Sequence, residues 1–227
     1  MKIRMQSMAK GLALVAALGA ASGASAQAAG EWTAKVGLNK ITPKVDSGFV
    51  SAPALPGTQA DVGSDTQPIF AFARGITDNI SAEIDLGVPY KHTLYGAGAI
   101  EGTGPLGTSE VLPPTAFLQY RFFKPDALFR PYVGLGLTYA YFRHETGSGQ
   151  MTAILNTGGP AATYSLESKF AASAQVGATM RINELWFLDV AVVKTRLKTR
   201  ATFSTGQTQD IRLDPLAVSF GIGYRFK

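Results

Sequence analysis

Two histidines, His92 and His144, are the side chains of this 227-residue chain whose ordinary pKa lies nearest neutrality, which makes them the first candidates for acid–base chemistry. An acyl hydrolase would need such a histidine beside a serine, with an oxyanion stabiliser close by. Around His144 the sequence continues through Thr146 to Ser148, so it lacks a His-x-Ser pair. We predict that the chain is not an enzyme and that both histidines lie in loops.

Other reactive or ligand-binding groups are scarce. The chain contains no cysteine, which excludes disulfides, thiolate metal sites and cysteine nucleophiles. The glycine-rich stretch YGAGAIEGTG is not followed by a helical pattern and predicts a flexible loop, not a nucleotide-binding turn. We therefore expect no catalytic residue, no metal and no cofactor.

The first residues have the three-part layout of a secretory signal peptide. A basic start precedes the apolar run 11–21 and the small-residue motif 24–26, and the run is shorter than the roughly 18 to 20 residues of a spanning helix. We predict a cleaved signal peptide over residues 1–26 and one mature domain over residues 27–227. Without the three basic residues of the leader, the mature chain has 18 basic and 16 acidic residues. Because this net charge is small, no nucleic-acid partner is expected.

In several segments of the sequence, apolar and polar residues alternate with a period of two. This alternation is typical of strands with one apolar face. In residues 80–88, for example, Glu83 and Asp85 alternate with Ile84 and Leu86. Eight segments follow this pattern, at residues 32–39, 68–74, 80–88, 116–122, 130–142, 166–180, 186–193 and 216–226.

Short and long connections alternate between these segments. The links at 75–79, 124–129 and 182–185 are short and rich in turn residues, whereas most of the others are long and rich in Gly, Pro, Ser and Thr. A soluble sandwich or lipocalin-like barrel has no reason to keep its short turns at one end. We predict an all-β fold: an eight-stranded antiparallel transmembrane β-barrel, an up-and-down meander with long extracellular loops and short periplasmic turns.

Four stretches in order carry a resemblance to a known family: TQPIFAFARGITDNISAEIDLGVPYKH, LPPTAFLQYRF, FRPYVGLGLTYAYF and RLDPLAVSFGIGYRF. The chain resembles the OmpW/AlkL family of small outer-membrane β-barrel proteins. The likeness implies a narrow apolar channel that small hydrophobic molecules enter from outside and leave sideways into the Gram-negative outer membrane. One departure is Lys227 after the terminal aromatic Phe226, which puts in doubt the C-terminal signal read by the outer-membrane assembly machinery.

The function predicted from these features is passive uptake of small hydrophobic molecules with lateral release. The alternative is a structural or adhesive barrel with a closed interior, in which the loops do the work. The expected partners are outer-membrane lipid, lipopolysaccharide, small hydrophobic ligands and the assembly machinery.

Charged side chains on the inward faces predict a plug of ion pairs in the barrel, because unpaired ions in so narrow an interior are costly. A path for ions is the alternative. The plug residues are Lys35, Glu83, Asp85, Arg121, Lys169, Arg181, Asp189 and Arg225.

Apolar residues take over the inward positions toward the extracellular end, at Phe117, Val193, Leu197 and Leu213. They predict an apolar throat that a hydrophobic ligand would prefer to water. Ordinary packing beneath the loops is the alternative.

Four prolines lie in or beside the second, third and fourth strands, at Pro68, Pro89, Pro113 and Pro114. Each proline lacks the backbone N–H that a hydrogen bond of the β-ladder needs. Neighbouring strands that lose their pairing at the same height would leave a gap in the barrel wall, so the prolines predict a lateral opening. Simple termination of the strands is the alternative.

Four cations at spacing two, Lys194, Arg196, Lys198 and Arg200, continue the outward row of the seventh strand. If this register holds, they contact lipopolysaccharide phosphates above the hydrocarbon. A bulge that turns them into the loop or the lumen is the alternative.

Overall fold

Residues 29–226 are described by the computed structural model, and they contain fifteen strands and one helix. In chain order these are β1 Trp32–Thr42, β2 Asp46–Ser47, β3 Thr58–Val62, β4 Asp65–Gly75, β5 Ile80–Gly87, β6 Tyr90–Gly98, β7 Pro105–Leu112, β8 Thr115–Arg121, β9 Phe129–Gly147, α1 Gly149–Leu155, β10 Tyr164–Leu166, β11 Lys169–Arg181, β12 Trp186–Arg196, β13 Lys198–Phe203, β14 Thr208–Arg212 and β15 Leu216–Phe226. The predicted signal peptide lies outside the described residues.

Eight of these strands close into an antiparallel barrel in the order β1, β4, β5, β8, β9, β11, β12, β15. Closure runs through the pairing of β1 with β15, from Trp32 opposite Phe226 to Thr42 opposite Leu216. Each barrel strand coincides with one of the eight alternating segments of the sequence, so the predicted fold is confirmed. No helix among residues 29–226 is long and apolar enough to cross a membrane.

The outer surface of the barrel is a belt of exposed apolar side chains. Leu135 is 75% exposed, Val176 63% and Phe220 61%, while the residues that alternate with them turn inward. A soluble chain rarely exposes so continuous an apolar surface. The belt is therefore suited to contact the hydrocarbon of a bilayer.

The long connections differ from the flexible loops expected from their composition, because they form strands of their own. Strands β3, β6 and β7 pair with one another and with the outer part of β9, and β10, β13, β14 and β2 make a second, four-stranded sheet. Their backbone groups are thus satisfied by one another instead of by water. The result is a folded extracellular extension above the barrel.

A small apolar core holds this extension together. Helix α1 begins at Ser148, whose hydroxyl accepts from the Met151 amide, and it packs the Met151 side chain, 2% exposed, into the core. Tyr164 and Phe203 from the four-stranded sheet contact each other there, with ring centroids 6.2 Å apart. This core covers the extracellular end of the barrel interior.

Candidate functional site

The lower half of the barrel interior is filled by a charged cluster. The Lys35 ammonium lies 2.8 Å from a Glu83 oxygen and 3.1 Å from an Asp189 oxygen, and Arg121 lies 4.0 Å from Glu83. The exposed fraction of each of these four side chains is 11% or less. Strands β1, β5, β8 and β12 supply one residue each, so the ion pairs tie together strands from around the barrel.

Neutral side chains complete the cluster by hydrogen bonding. The Gln119 amide donates to Glu83 and to Gln175 over 2.8 Å each, and its oxygen accepts from Arg121 over 2.7 Å. The Tyr132 hydroxyl donates to an Asp189 oxygen over 3.0 Å. The interior at this height is therefore occupied by side chains, as expected for so narrow a barrel.

Three predicted members of the plug occupy other positions. Lys169 is not in the plug: it stands at the extracellular end of β11 and pairs over 2.6 Å with Glu167, and both side chains are exposed. At this end β11 is still paired with β9, but its pairing with β12 begins only at Ala172, so Lys169 lies above the closed part of the barrel. Arg181 is half-exposed at the opposite, periplasmic end of β11, and Arg225 is buried with its guanidinium 4.9 Å from the Phe187 ring centroid.

Asp85 stands at the top of the cluster and differs from the other carboxylates. It belongs to the lining of the space above, and its Oδ1 atom is buried without a hydrogen-bond partner. Within the part of the chain that the structure describes, Asp85 takes part in no ion pair. The cluster thus ends upward in a buried acidic side chain.

Above the cluster lies a cavity of about 110 Å³ with a mainly apolar lining. All four residues of the predicted throat, Phe117, Val193, Leu197 and Leu213, border this cavity. The ring of Phe117 lies against Gly136 of the neighbouring strand, where any Cβ atom would overlap the ring. Gly136 therefore allows a large aromatic side chain to lie flat against the wall and leave the centre open.

The cavity is covered on the extracellular side. Leu94 and Ile211 border both this cavity and a smaller one of about 30 Å³ inside the extracellular core. Both side chains are buried, at 6% and 4% exposure. A ligand that enters from outside must therefore displace apolar side chains of the extracellular core.

The barrel wall beside the cavity is interrupted. The ladder between β5 and β8 ends where Asp85 faces Thr115, and pairing resumes only between β6 and β7, where Tyr90 faces Val111. Among the described residues, no ladder pair joins segment 86–89 to segment 112–114. Three of the four predicted prolines, Pro89, Pro113 and Pro114, lie in this interruption. The fourth, Pro68 on β4, is paired with β1 but not with β5.

Side chains at the interruption reach the cavity. Leu86 and Pro113 both border it, although Leu86 is 44% exposed and belongs to the outward row of β5. At this height the cavity extends to the barrel wall itself, between segments 86–89 and 112–114, which do not pair with each other.

The prediction that both histidines lie in loops is wrong, because His92 lies on β6 and His144 on β9. His92 is buried in the cavity wall opposite Ser109, and burial lowers the pKa of its imidazole. Its Nδ1 lies 2.7 Å from the Gly63 carbonyl oxygen, and the Ser109 hydroxyl has no hydrogen-bond partner, so the two do not form a nucleophile–base pair. His144 lies on the surface, 3.0 Å from Glu110.

Two of the four predicted cations, Lys194 and Arg196, lie on the seventh barrel strand β12, and Lys198 and Arg200 lie on β13 of the four-stranded sheet. All four are exposed, so the alternation continues outward through residues 194–200. Lys194 donates to the Asp214 carbonyl oxygen, and Arg200 pairs with Asp210 over 2.7 Å. Within the described residues, Arg196 and Lys198 form no ion pair. The row is thus a cationic stripe on the outer surface, with two of its four members unpaired.

Among residues 29–226 there is no group of three or more His, Asp or Glu side chains placed to hold a metal ion. The residues that sequence inspection missed are Ser81, Tyr132 and Phe187, which are buried around the charged cluster. The alternating pattern of the sequence puts all three at inward positions, and this pattern could have identified them as members of the barrel interior.

A sequence model of the OmpW family matches residues 28–226 of this chain. Outer membrane protein W of Vibrio cholerae serotype O1 is 32% identical over 222 residues, which cover 95% of this chain and 97% of that protein.

Solved structures agree in fold. The crystal structure of the outer membrane protein OprG from Pseudomonas aeruginosa superimposes with a TM-score of 0.80 at 26% identity, covering 88% of this chain and 98% of that one. The solid-state NMR structure of outer membrane protein AlkL in DMPC lipid bilayers gives a TM-score of 0.66 at 25% identity, covering 92% and 95%.

Proposed function

Because this chain belongs to the OmpW family and forms a β-barrel of the Gram-negative outer membrane, we propose that it takes up small hydrophobic molecules passively and releases them sideways into the bilayer. The observation that carries this proposal is the position of the cavity. It has a filled, charged floor below it and an unpaired stretch of barrel wall beside it.

The charged floor makes a straight passage to the periplasm unfavourable. Opening it would separate Lys35 from Glu83 and Asp189 in an interior where unpaired ions are expensive. A molecule in the cavity therefore leaves more readily through the wall at segments 86–89 and 112–114.

The apolar lining determines which molecules prefer the cavity to water. Transfer of apolar surface from water contributes about 25 cal/mol per Å², so a compact hydrocarbon gains several kcal/mol by entering. A sugar or an ion would lose its hydration without replacement hydrogen bonds. The cavity thus selects for hydrophobic molecules before any specific contact is made.

Two further partners belong to the proposal. Lipopolysaccharide phosphates would lie against the cationic stripe, where Arg196 and Lys198 have no acidic partner among the described residues. The assembly machinery would insert the barrel after export directed by residues 1–26.

The primary test is uptake of radiolabelled octane by cells whose outer membrane contains the protein, compared with cells that lack it. We expect faster octane uptake and no swelling of proteoliposomes in arabinose. Octane uptake equal to that of cells lacking the protein would reject transport and favour the adhesive alternative.

The lateral route is tested by restoring amides at the interruption with the variant Pro89→Ala/Pro113→Ala/Pro114→Ala. If the ladder between β5 and β8 lengthens, octane uptake should fall several-fold while the barrel remains folded. Pro160→Ala, in an exposed extracellular segment, is the matched control. Uptake that stays at the wild-type rate although hydrogen exchange shows new amide protection at these positions would exclude lateral release.

A further inference from the structure

Arg225 places a buried guanidinium at the periplasmic end of the barrel interior. Its side chain is 4% exposed, and its Nε and Nη1 atoms are buried without a hydrogen-bond partner. Glu31 attracts this guanidinium electrostatically, but Arg225 takes part in no ion pair among the described residues. A buried N–H group that has lost its water is costly unless an acceptor replaces the water. The position therefore requires an acceptor that the described residues do not supply.

The packing around Phe187 holds the Arg225 guanidinium in place. The Phe187 ring lies against Gly223 on the neighbouring strand, where a Cβ atom would be only 2.1 Å from the ring. The guanidinium lies over the same ring, 4.9 Å from its centroid. The ring contacts the face of the guanidinium and leaves its N–H edge to an acceptor.

Arg121 shows what such a guanidinium looks like when its edge is filled. It lies over the Tyr132 ring, 4.7 Å from the centroid. Its edge donates to the Ser81 hydroxyl over 3.0 Å and to the Gln119 side-chain oxygen over 2.7 Å. Arg225 has the same aromatic support and lacks the acceptors.

A second cation, Arg181, lies beside this site. It continues the inward row of β11, directly opposite Phe187, and it is half-exposed. Its charge repels that of Arg225, and it forms no ion pair in the part of the chain that the structure describes. Two cations thus flank one aromatic ring, and an anion held by both would remove their repulsion.

We infer that the periplasmic mouth of the barrel binds a soluble phosphate, either inorganic phosphate or a phosphomonoester, between Arg225 and Arg181. Two phosphate oxygens accept from the edge of Arg225 and a third accepts from Arg181. A phosphomonoester carries close to two negative charges at neutral pH, which matches two cations, whereas a carboxylate or a lipid phosphodiester carries one. The bound ion links β15 to β11 across β12.

The site is open on the periplasmic side. Arg181 is half-exposed and precedes the exposed turn 182–185, so a small ion can approach Arg225 past this residue. The charged cluster separates the site from the apolar cavity above. Phosphate binding is therefore independent of the proposed uptake of hydrophobic molecules.

The test measures binding of sodium phosphate to the isotope-labelled protein in dodecyl maltoside micelles, which contain no phosphate. The signals followed are the side-chain Nε–Hε groups of Arg225 and Arg181. Arg225→Gln and Arg181→Gln each remove one cation, and Arg225→Lys keeps the charge but removes the planar edge. Lys124→Gln, in an exposed turn at the same end, is the matched control. Sodium chloride at equal ionic strength separates binding from screening.

Loss of hydrogen bonds to a charged group should weaken phosphate binding about tenfold in Arg225→Gln and in Arg225→Lys. Arg181→Gln should weaken it less, and Lys124→Gln should bind as the wild type does. Phosphate should also raise the urea midpoint of the wild type, and chloride should not. If Arg225→Gln fails to assemble, Arg225→Lys and Arg181→Gln carry the test.

Three results would overturn the inference. The first is a wild-type Arg225 signal that phosphate does not shift, or shifts no more than chloride does. The second is unchanged phosphate affinity in both Arg225→Lys and Arg181→Gln. The third is a shift produced by short-chain phosphatidylglycerol and not by phosphate, which would assign the site to a lipid head group.

Discussion

The lower and upper halves of the barrel interior are built on the same strands and follow opposite rules. Below Asp85 charged and polar inward residues pair across the barrel and, together with buried apolar residues such as Phe187, fill it. Above Asp85 the inward residues are mostly apolar, they line a cavity, and the wall beside them is unpaired at segments 86–89 and 112–114. The filled half ties strands from around the barrel together, so the upper half can hold a cavity without collapse of so small a barrel.

The largest effect is expected from removing a charge in the lower half. Glu83→Ala leaves Lys35 and Arg121 without their shared carboxylate in a buried setting. We expect a loss of about 3 to 5 kcal/mol in the free energy of unfolding. Urea unfolding in lipid vesicles, followed by tryptophan fluorescence, measures it.

The matched control is Glu184→Gln in the exposed turn between β11 and β12, which should leave stability unchanged. Equal stability of Glu83→Ala and the wild type would show that the ion pairs do not support the barrel.

A smaller effect is expected from enlarging the upper half. Phe117→Ala removes a ring that is 4% exposed and should cost about 3 kcal/mol, the low end for such a change because a cavity already adjoins the site. The same variant should speed the uptake of bulkier hydrocarbons relative to octane. Thermal unfolding and paired uptake measurements test both expectations. If the uptake ratio stays at the wild-type value, Phe117 does not limit the throat.

The smallest effect concerns the outer surface of the upper half. Arg196→Ser should weaken binding to lipopolysaccharide vesicles by about 1 kcal/mol, whereas Arg200→Ser should change it less, because Arg200 is paired with Asp210. Binding at two salt concentrations measures both variants. Equal binding by the double variant and the wild type would remove lipopolysaccharide from the partners of the stripe.

Period-two alternation was sufficient to predict the eight barrel strands and the inward direction of Lys35, Glu83, Arg121 and Asp189, because it reports locally which side chains point inward. It could not predict that the long connections pair into sheets, since those pairings join residues far apart in sequence. Lys169 was misplaced because alternation does not show where the pairing of β11 with β12 ends. The ion pairs of Lys35 could not be predicted for a related reason: they depend on which carboxylates other strands bring to it.

The contact between Phe117 and Gly136 has a consequence for how such a barrel can diversify. Any side chain at position 136 must expel the ring, whereas a smaller residue at position 117 requires no change at position 136. Position 136 requires glycine whether or not the ring is present, because a Cβ atom there would also lie 2.6 Å from the Ala116 carbonyl oxygen. A lineage that keeps the glycine can adjust the width of its throat by single mutations at position 117.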